Sequence, residues 1–146
     1  MEMINEILFK GKNIETGEWI EGDISQFPNQ MVENTLQTLY IITVYTDLEY
    51  FGYIDYEIHP KSVCQYINQT DKNDKKIFVN DIVKVCRGRD VEIGVVYYDN
   101  RICAYGISYG NNECNLFLDL YMNKDNNNVW VEVIGNRIDN PELLER

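Results

Sequence analysis

The groups able to do chemistry in this chain are carboxylates, four cysteines and a single histidine, and their spacing decides what each can do. Asp47/Glu49 and Asp55/Glu57 stand two residues apart, which on a β-strand puts each pair on one face. Paired carboxylates can serve acid–base catalysis, but solvated strand faces carry them as a matter of course. Asp71, Asp74 and Asp81 offer hard oxygen ligands of the kind Ca2+ or Mg2+ takes. Their spacing lacks the alternating pattern of an EF-hand, and Lys72, Lys75 and Lys76 stand among them. A charged turn, with Asp81 bonding the backbone where the next strand begins, fits those residues better. Cys64, Cys86, Cys103 and Cys114 form no close pair, and His59 with Cys64 is too sparse a set for zinc. All four cysteines are therefore expected to be reduced, with Cys86 and Cys103 buried as small hydrophobes in strands. No nucleophile motif accompanies His59, and no Gly-rich phosphate loop appears. The expectation is a protein that is not an enzyme and holds no metal or cofactor.

What must position these groups is a chain of 146 residues with 13 Lys+Arg against 24 Asp+Glu, a net charge of −11. That balance argues against duplex binding, which needs a basic face, and against attraction to anionic membranes. Hydrophobic content of 45% is enough to fill a core. No apolar run reaches the ~18–20 residues of a membrane span, and the N-terminus has no apolar signal stretch. A soluble, cytoplasmic protein is expected. Ala104 is the only alanine, while Asn, Tyr, Ile and Val abound. Alanine is the best helix former and β-branched and aromatic residues favour strands, so the composition points to a β protein. The same bias fits an AT-rich genome, such as that of a low-GC bacterium or its phage.

Residues 7–24 read as a hairpin around Glu15-Thr16-Gly17-Glu18. Residues 25–38, mostly polar and containing Pro28, read as a surface excursion. Leu39 to Tyr45 and Phe51 to Ile58 are strands joined by a turn at 47–50. In the second, Tyr53, Asp55 and Glu57 share one face and Ile54, Tyr56 and Ile58 the other. A short strand at 63–67 leads into the charged turn 71–76. Strands then follow at 81–86, 91–98 (with Gly94 as a bulge or bend), 101–108, 116–120 and 129–134, with a two-residue turn at Asp99-Asn100. Asn140-Pro141 reads as an N-cap with Pro at N1 of one helical turn. A thin internal echo links Trp19–Ile24 with Ile77–Ile82. The expected fold is mostly β with few short helices. Its C-terminal half is read as a small SH3-like or OB-like antiparallel barrel packed with an N-terminal β-hairpin region. The division is residues 1–60 and 61–146.

Two separated stretches carry a family resemblance. Pro60-Lys61-Ser62-Val63-Cys64-Gln65-Tyr66, continued by Asp71 through Val83, resembles the central signature of the YopX-like phage and prophage proteins. Glu132-Val133-Ile134-Gly135-Asn136 with Asn140-Pro141-Glu142-Leu143-Leu144 resembles their C-terminal signature. The resemblance covers roughly residues 58–146. It implies a largely β fold and a phage or prophage origin, and brings no catalytic residues. Where the family pattern carries glycine, this chain has Asn68, Asp74 and Asn80, the residue types that best tolerate a left-handed backbone.

Two classes of function remain. One is a non-catalytic interaction or assembly module that binds a host or phage protein, and itself, with Tyr40, Ile41, Tyr45, Tyr53 and Tyr56 at the self-association surface. The other is a single-stranded nucleic-acid binder stacking bases on Tyr97 and Tyr98, with Lys84, Arg87, Arg89 and Arg101 on phosphates. The net charge opposes the second, and the first is the expectation.

Overall fold

The computed structural model describes residues 5–46, 52–110, 114–117 and 129–145. The chain divides into two compact units, Met1–Tyr66 and Ile67–Arg146. The strand-rich composition is realised in both, and the protein is mostly β. The only helical pieces among the described residues are short 3-10 turns at Pro60–Ser62 and Pro141–Leu144, beyond a single helical residue at Phe117.

The first unit holds β1 (Phe9–Lys12), β2 (Trp19–Val32), β3 (Thr35–Thr46), β4 (Gly52–Ile58) and the start of β5 (Cys64–Thr70), in the antiparallel order β4-β3-β2-β1-β5. Residues 25–38 are strand, not an irregular excursion. They extend the β2–β3 hairpin into an arm whose tip, Glu33-Asn34, has φ of 47° and 64°. Positive φ at both central residues is the geometry a two-residue hairpin turn demands. Pro28 is accommodated at a bulge, where the register shifts between Phe27 and Gln30 and Asn29 takes φ 59°.

The pleat gives β2–β4 two faces. Ile42 and Ile58, both essentially fully buried, define the inward one, shared by Ile24, Tyr40 and Tyr56. The sheet curls enough for the end of β4 to meet the end of β1. Asn13 bridges Ile58, Ile14 donates to the Glu57 carbonyl at 3.0 Å, and His59 to the Lys12 carbonyl at 3.0 Å. That contact is a single bridge. Buried Ser62 holds the following turn, accepting from the Lys12 N–H at 2.7 Å and donating to the His59 carbonyl at 2.7 Å.

The second unit contains β6 (Lys76–Phe78), β7 (Asp81–Arg87), β8 (Asp90–Asp99), β9 (Ala104–Ser108), β10 (Cys114–Leu116) and β11 (Val129–Asn136). β7 to β11 form a five-stranded antiparallel sheet of order β10-β9-β8-β7-β11. Alternation puts Val83, Val85, Val96, Ile107 and Val131 on one face, where they pack with Ile67, Ile77 and Phe117 as the core.

The expected barrel is corrected to open sheets. β11, which would have to meet β10 to close one, has its free edge taken by the 71–75 turn instead. Val133 donates to the Asp71 carboxylate at 2.9 Å, and Lys72 to the Val131 carbonyl at 2.9 Å. Gly94 is no bulge but a regular ladder residue paired with Val83, and its missing side chain makes room for Ile107 and the Tyr109 ring. The expected Asp99-Asn100 turn is a four-residue loop, because Asp99 accepts from both the backbone and the guanidinium of Arg101. Cys103 therefore sits exposed in that loop at φ 53°, whereas Cys64 and Cys86 are buried. The internal echo does not correspond to shared structure. Gly22-Asp23 lies mid-strand, while Asn80 turns the chain at φ 75°. The Asp47/Glu49 pair, Tyr50, Phe51 and residues 118–120 lie outside the described residues.

Candidate functional site

The 71–83 part of the first family-like stretch is far in sequence from the C-terminal stretch, and the two meet in the second unit, while residues 60–66 belong to the first unit. Asp71, 7% exposed, accepts from Asn73 at 2.8 Å and Lys75 at 3.0 Å on one carboxylate oxygen, and from Val133 at 2.9 Å on the other. Asn80 donates to the Val96 carbonyl and accepts from the Arg137 N–H, each at 2.9 Å. Burial raises the pKa of Asp71, but the three backbone donors and the charge of Lys75 outweigh it, and the net direction is downward. Asp81, 1% exposed, accepts from the Phe78 N–H at 2.8 Å where β7 begins. Asn68, Asp74 and Asn80 take φ of 61°, 61° and 75°, the left-handed backbone that glycine would otherwise supply.

At the C-terminal stretch, Asn140 does not cap the final turn. Its side-chain oxygen accepts from Asn136 at 3.2 Å, and it lies with Leu143 against the space left by Gly135. Lys72 completes the join, 4.0 Å above the Trp130 ring and 3.1 Å from Glu132. These motifs are therefore a structural clamp. The Asp71 carboxylate is committed to backbone donors, and no cluster of three or more metal-ligating side chains occurs among the described residues.

The feature with surface chemistry lies in the first unit, on the outward face of β2–β4. Cross-strand pairing aligns Asp23 with Thr43 and Asp55, and Ser25 with Ile41 and Glu57. The Thr43 hydroxyl donates to Asp55 at 2.6 Å. Strand geometry spaces Asp55 and Glu57 about 7 Å apart, and sets the β2 and β4 acids about 10 Å apart across β3. Apolar groups share this face. Phe27 opposite Leu39 is 46% exposed, and Tyr45 opposite Tyr53 are 68% and 64% exposed. Of the five residues expected at a self-association surface, Ile41, Tyr45 and Tyr53 are on this outward face. Tyr40 and Tyr56 are on the inward one.

A sequence signal for this face exists in the charge distribution. The unit Met1–Tyr66 has three Lys+Arg against eleven Asp+Glu, net −8, while the second unit has ten against thirteen, net −3. No Lys or Arg occurs between Lys12 and Lys61. Lys10 and Lys12 lie 4.9 Å and 5.8 Å from the Trp19 ring, beside this face and not across it.

The residues expected to grip a nucleic acid are spread out. Arg87 ends β7 opposite the first residue of β8 and Arg101 lies beyond the last, about 30 Å apart at ordinary strand rise, with Arg89 in the turn before β8. Lys84 and Tyr97 lie on one face of the sheet, Arg87 and Tyr98 on the other. Arg87 pairs with Glu92 at 3.3 Å and Arg101 with Asp99 at 2.9 Å. Hydrogen bonds to Cys114 and Cys103 raise the pKa values of Tyr97 and Tyr98 respectively, and the Tyr98 ring stands 5.1 Å from that of Tyr105. On the Lys84 face, a groove of about 970 Å3 runs past Val91, Ile93, Val95 and Tyr97 to Leu143 and Leu144. No helix among the described residues is long and apolar enough to cross a membrane.

No curated protein matches the chain. The family model for YopX protein matches residues 8–145, so the likeness extends through the N-terminal unit as well as the two clamp motifs. A match over nearly the whole length shows that the chain belongs to the YopX protein family.

Proposed function

We propose that the protein is a non-catalytic interaction module, encoded by a phage or prophage, that docks a host or phage protein on the outward face of β2–β4. The observation that carries this reading is the coincidence of exposed aromatics with unbalanced acids. Tyr45 and Tyr53 at one end of the face and Phe27 at the other present rigid apolar area, and Asp23, Asp55 and Glu57 lie in the rows between them, in a stretch without Lys or Arg. Aromatic anchors set beside charge are what a protein interface uses for affinity and for partner choice. Nucleic acid is disfavoured by the scatter of the second unit's cations, by the pairing of Arg87 and Arg101 with acids, and by the net charge. Self-association over the same face is a second reading, supported by the exposure of Tyr45 and Tyr53.

The test is affinity capture from a nuclease-treated lysate of the encoding bacterium, with wild type and a Tyr45→Ser/Tyr53→Ser variant compared quantitatively. A protein recovered by wild type and reduced at least about tenfold by the variant is the expected result. Recovery equal in the two refutes the face. Binding to single-stranded oligonucleotides that weakens steeply with salt refutes the class. Light scattering decides the second reading, which a mass near 17.2 kDa sinks.

A further inference from the structure

The edge of β4 is open over most of its length, unlike that of β11. β11 is closed by the Asp71 turn, whereas β4 is the terminal strand of its sheet and meets β1 only from Glu57 to His59. Because Glu57 and His59 direct backbone groups toward β1, the period of two directs those of Tyr53 and Asp55 outward as well. No backbone partner for them occurs among the described residues. The strand Gly52-Tyr53-Ile54-Asp55-Tyr56-Glu57-Ile58 has no Pro, Lys or bulge, the usual means of blunting an exposed edge. Its side chains differ by face. Tyr53, Asp55 and Glu57 are exposed on the outward face, while Ile54, 47% exposed, and half-buried Tyr56 lie on the apolar face.

We infer that this edge accepts, by strand addition, an extended segment of a partner protein whose residues alternate basic and apolar. The inference rests on reading the adjoining face as a protein-docking surface. Main-chain hydrogen bonds to Tyr53 and Asp55 supply affinity, and alternation supplies selectivity. Basic side chains of the added strand fall beside Asp55 and Glu57, and apolar ones extend the Ile54–Tyr56 face. Charge complementarity identifies the occupant. The strand offers only acids, and its unit carries net −8 with no cation between Lys12 and Lys61. A second copy fits poorly, because two β4 edges paired about a two-fold axis set the row of Asp55 and Glu57 against itself.

The probe is a short, end-capped, fluorescent peptide alternating Lys and Val, compared by anisotropy on the full chain with a block-scrambled peptide of equal composition. The alternating peptide is expected to bind at least about tenfold more tightly and to weaken with salt. N-methylation of its edge-facing amides removes that preference, and methylation of the opposite amides does not. On the protein side, Asp55→Pro removes an outward N–H while leaving the β3 ladder intact, and abolishes the preference with the β spectrum retained. Equal binding of the two peptides, or indifference to methylation, overturns strand addition but leaves docking on the face standing. Binding of neither peptide overturns the inference, and the capture experiment then decides the broader reading alone. A mass at a multiple of 17.2 kDa that Asp55→Pro lowers assigns the edge to a second copy and overturns it as well.

Discussion

Replacing Asp71 by Asn changes one atom type and should destabilise the second unit. The native carboxylate satisfies three backbone donors, from Asn73, Lys75 and Val133, at 2.8, 3.0 and 2.9 Å. Asparagine keeps one acceptor oxygen, enough for the local pair at Asn73 and Lys75. Its amide nitrogen then faces the Val133 N–H, donor to donor, on a side chain that is 7% exposed in the native protein. One charge-assisted bond is lost and a donor is left unpaired, a cost of about 1–3 kcal/mol. Alanine removes all three bonds. Because Asn73 and Lys75 are exposed, water can replace two of them, so the total should be about 2–5 kcal/mol. The assay is urea unfolding followed by Trp130 emission in a Trp19→Phe background, where the remaining tryptophan lies on β11 and packs on Lys72. An Asn variant within about 0.5 kcal/mol of the parent would show that the clamp contributes no net energy, and the reasoning would fail.

The same carboxylate predicts a pH dependence. Its folded pKa is depressed, so its stabilisation is present above the unfolded carboxylate value of about 3.9 and is lost as pH falls through the folded value. The gap between wild type and Asp71→Asn in urea midpoint should be flat near neutrality and shrink below about pH 4; a constant gap down to acid unfolding contradicts this. Gly94→Ala should cost about 1–3 kcal/mol or more, because its Cβ would stand 2.6 Å from Ile107 Cγ2 and 2.7 Å from the Ser108 carbonyl. Asp74→Gly should be neutral within about 0.5 kcal/mol and Asp74→Val destabilising by about 1–2, read from the same unfolding curves, since position 74 needs φ 61°. Tyr45→Ser/Tyr53→Ser should leave the unfolding midpoint nearly unchanged, given side chains 68% and 64% exposed; a large loss would make these residues structural instead.

What the sequence makes legible follows the range of the physics. Left-handed positions at Asn68, Asp74 and Asn80 are local, and residue type alone exposes them. The alternation of Tyr53, Asp55 and Glu57 against Ile54, Tyr56 and Ile58 is equally local and appears as read. Applied to Tyr40 and Ile41 the same period separates them, whereas grouping tyrosines by composition places them together. The arm at 25–38 escapes because both its faces meet solvent, which erases the burial pattern that marks a strand. Glu33-Asn34, a pair able to take φ > 0 between Val32 and Thr35, was the available signal. Open sheet and barrel share the same strands and differ in whether β11 meets β10, a choice made by Asp71 from 62 residues away. Arg101-Ile102-Cys103 looks like the start of a strand, but the grip of Asp99 on Arg101 makes it loop. The cation-free stretch between Lys12 and Lys61 needs only counting, and it is the clearest sequence mark of the candidate face.

Hydrogen–deuterium exchange on the captured complex, compared with the free chain, tests the docking face most directly. Docking on β2–β4 predicts new protection in peptides covering residues 22–28 and 39–46, and in the outward amides of Tyr53 and Asp55, with the β7–β9 peptides unchanged. Protection confined to residues 84–110, or none in the first unit, would contradict it.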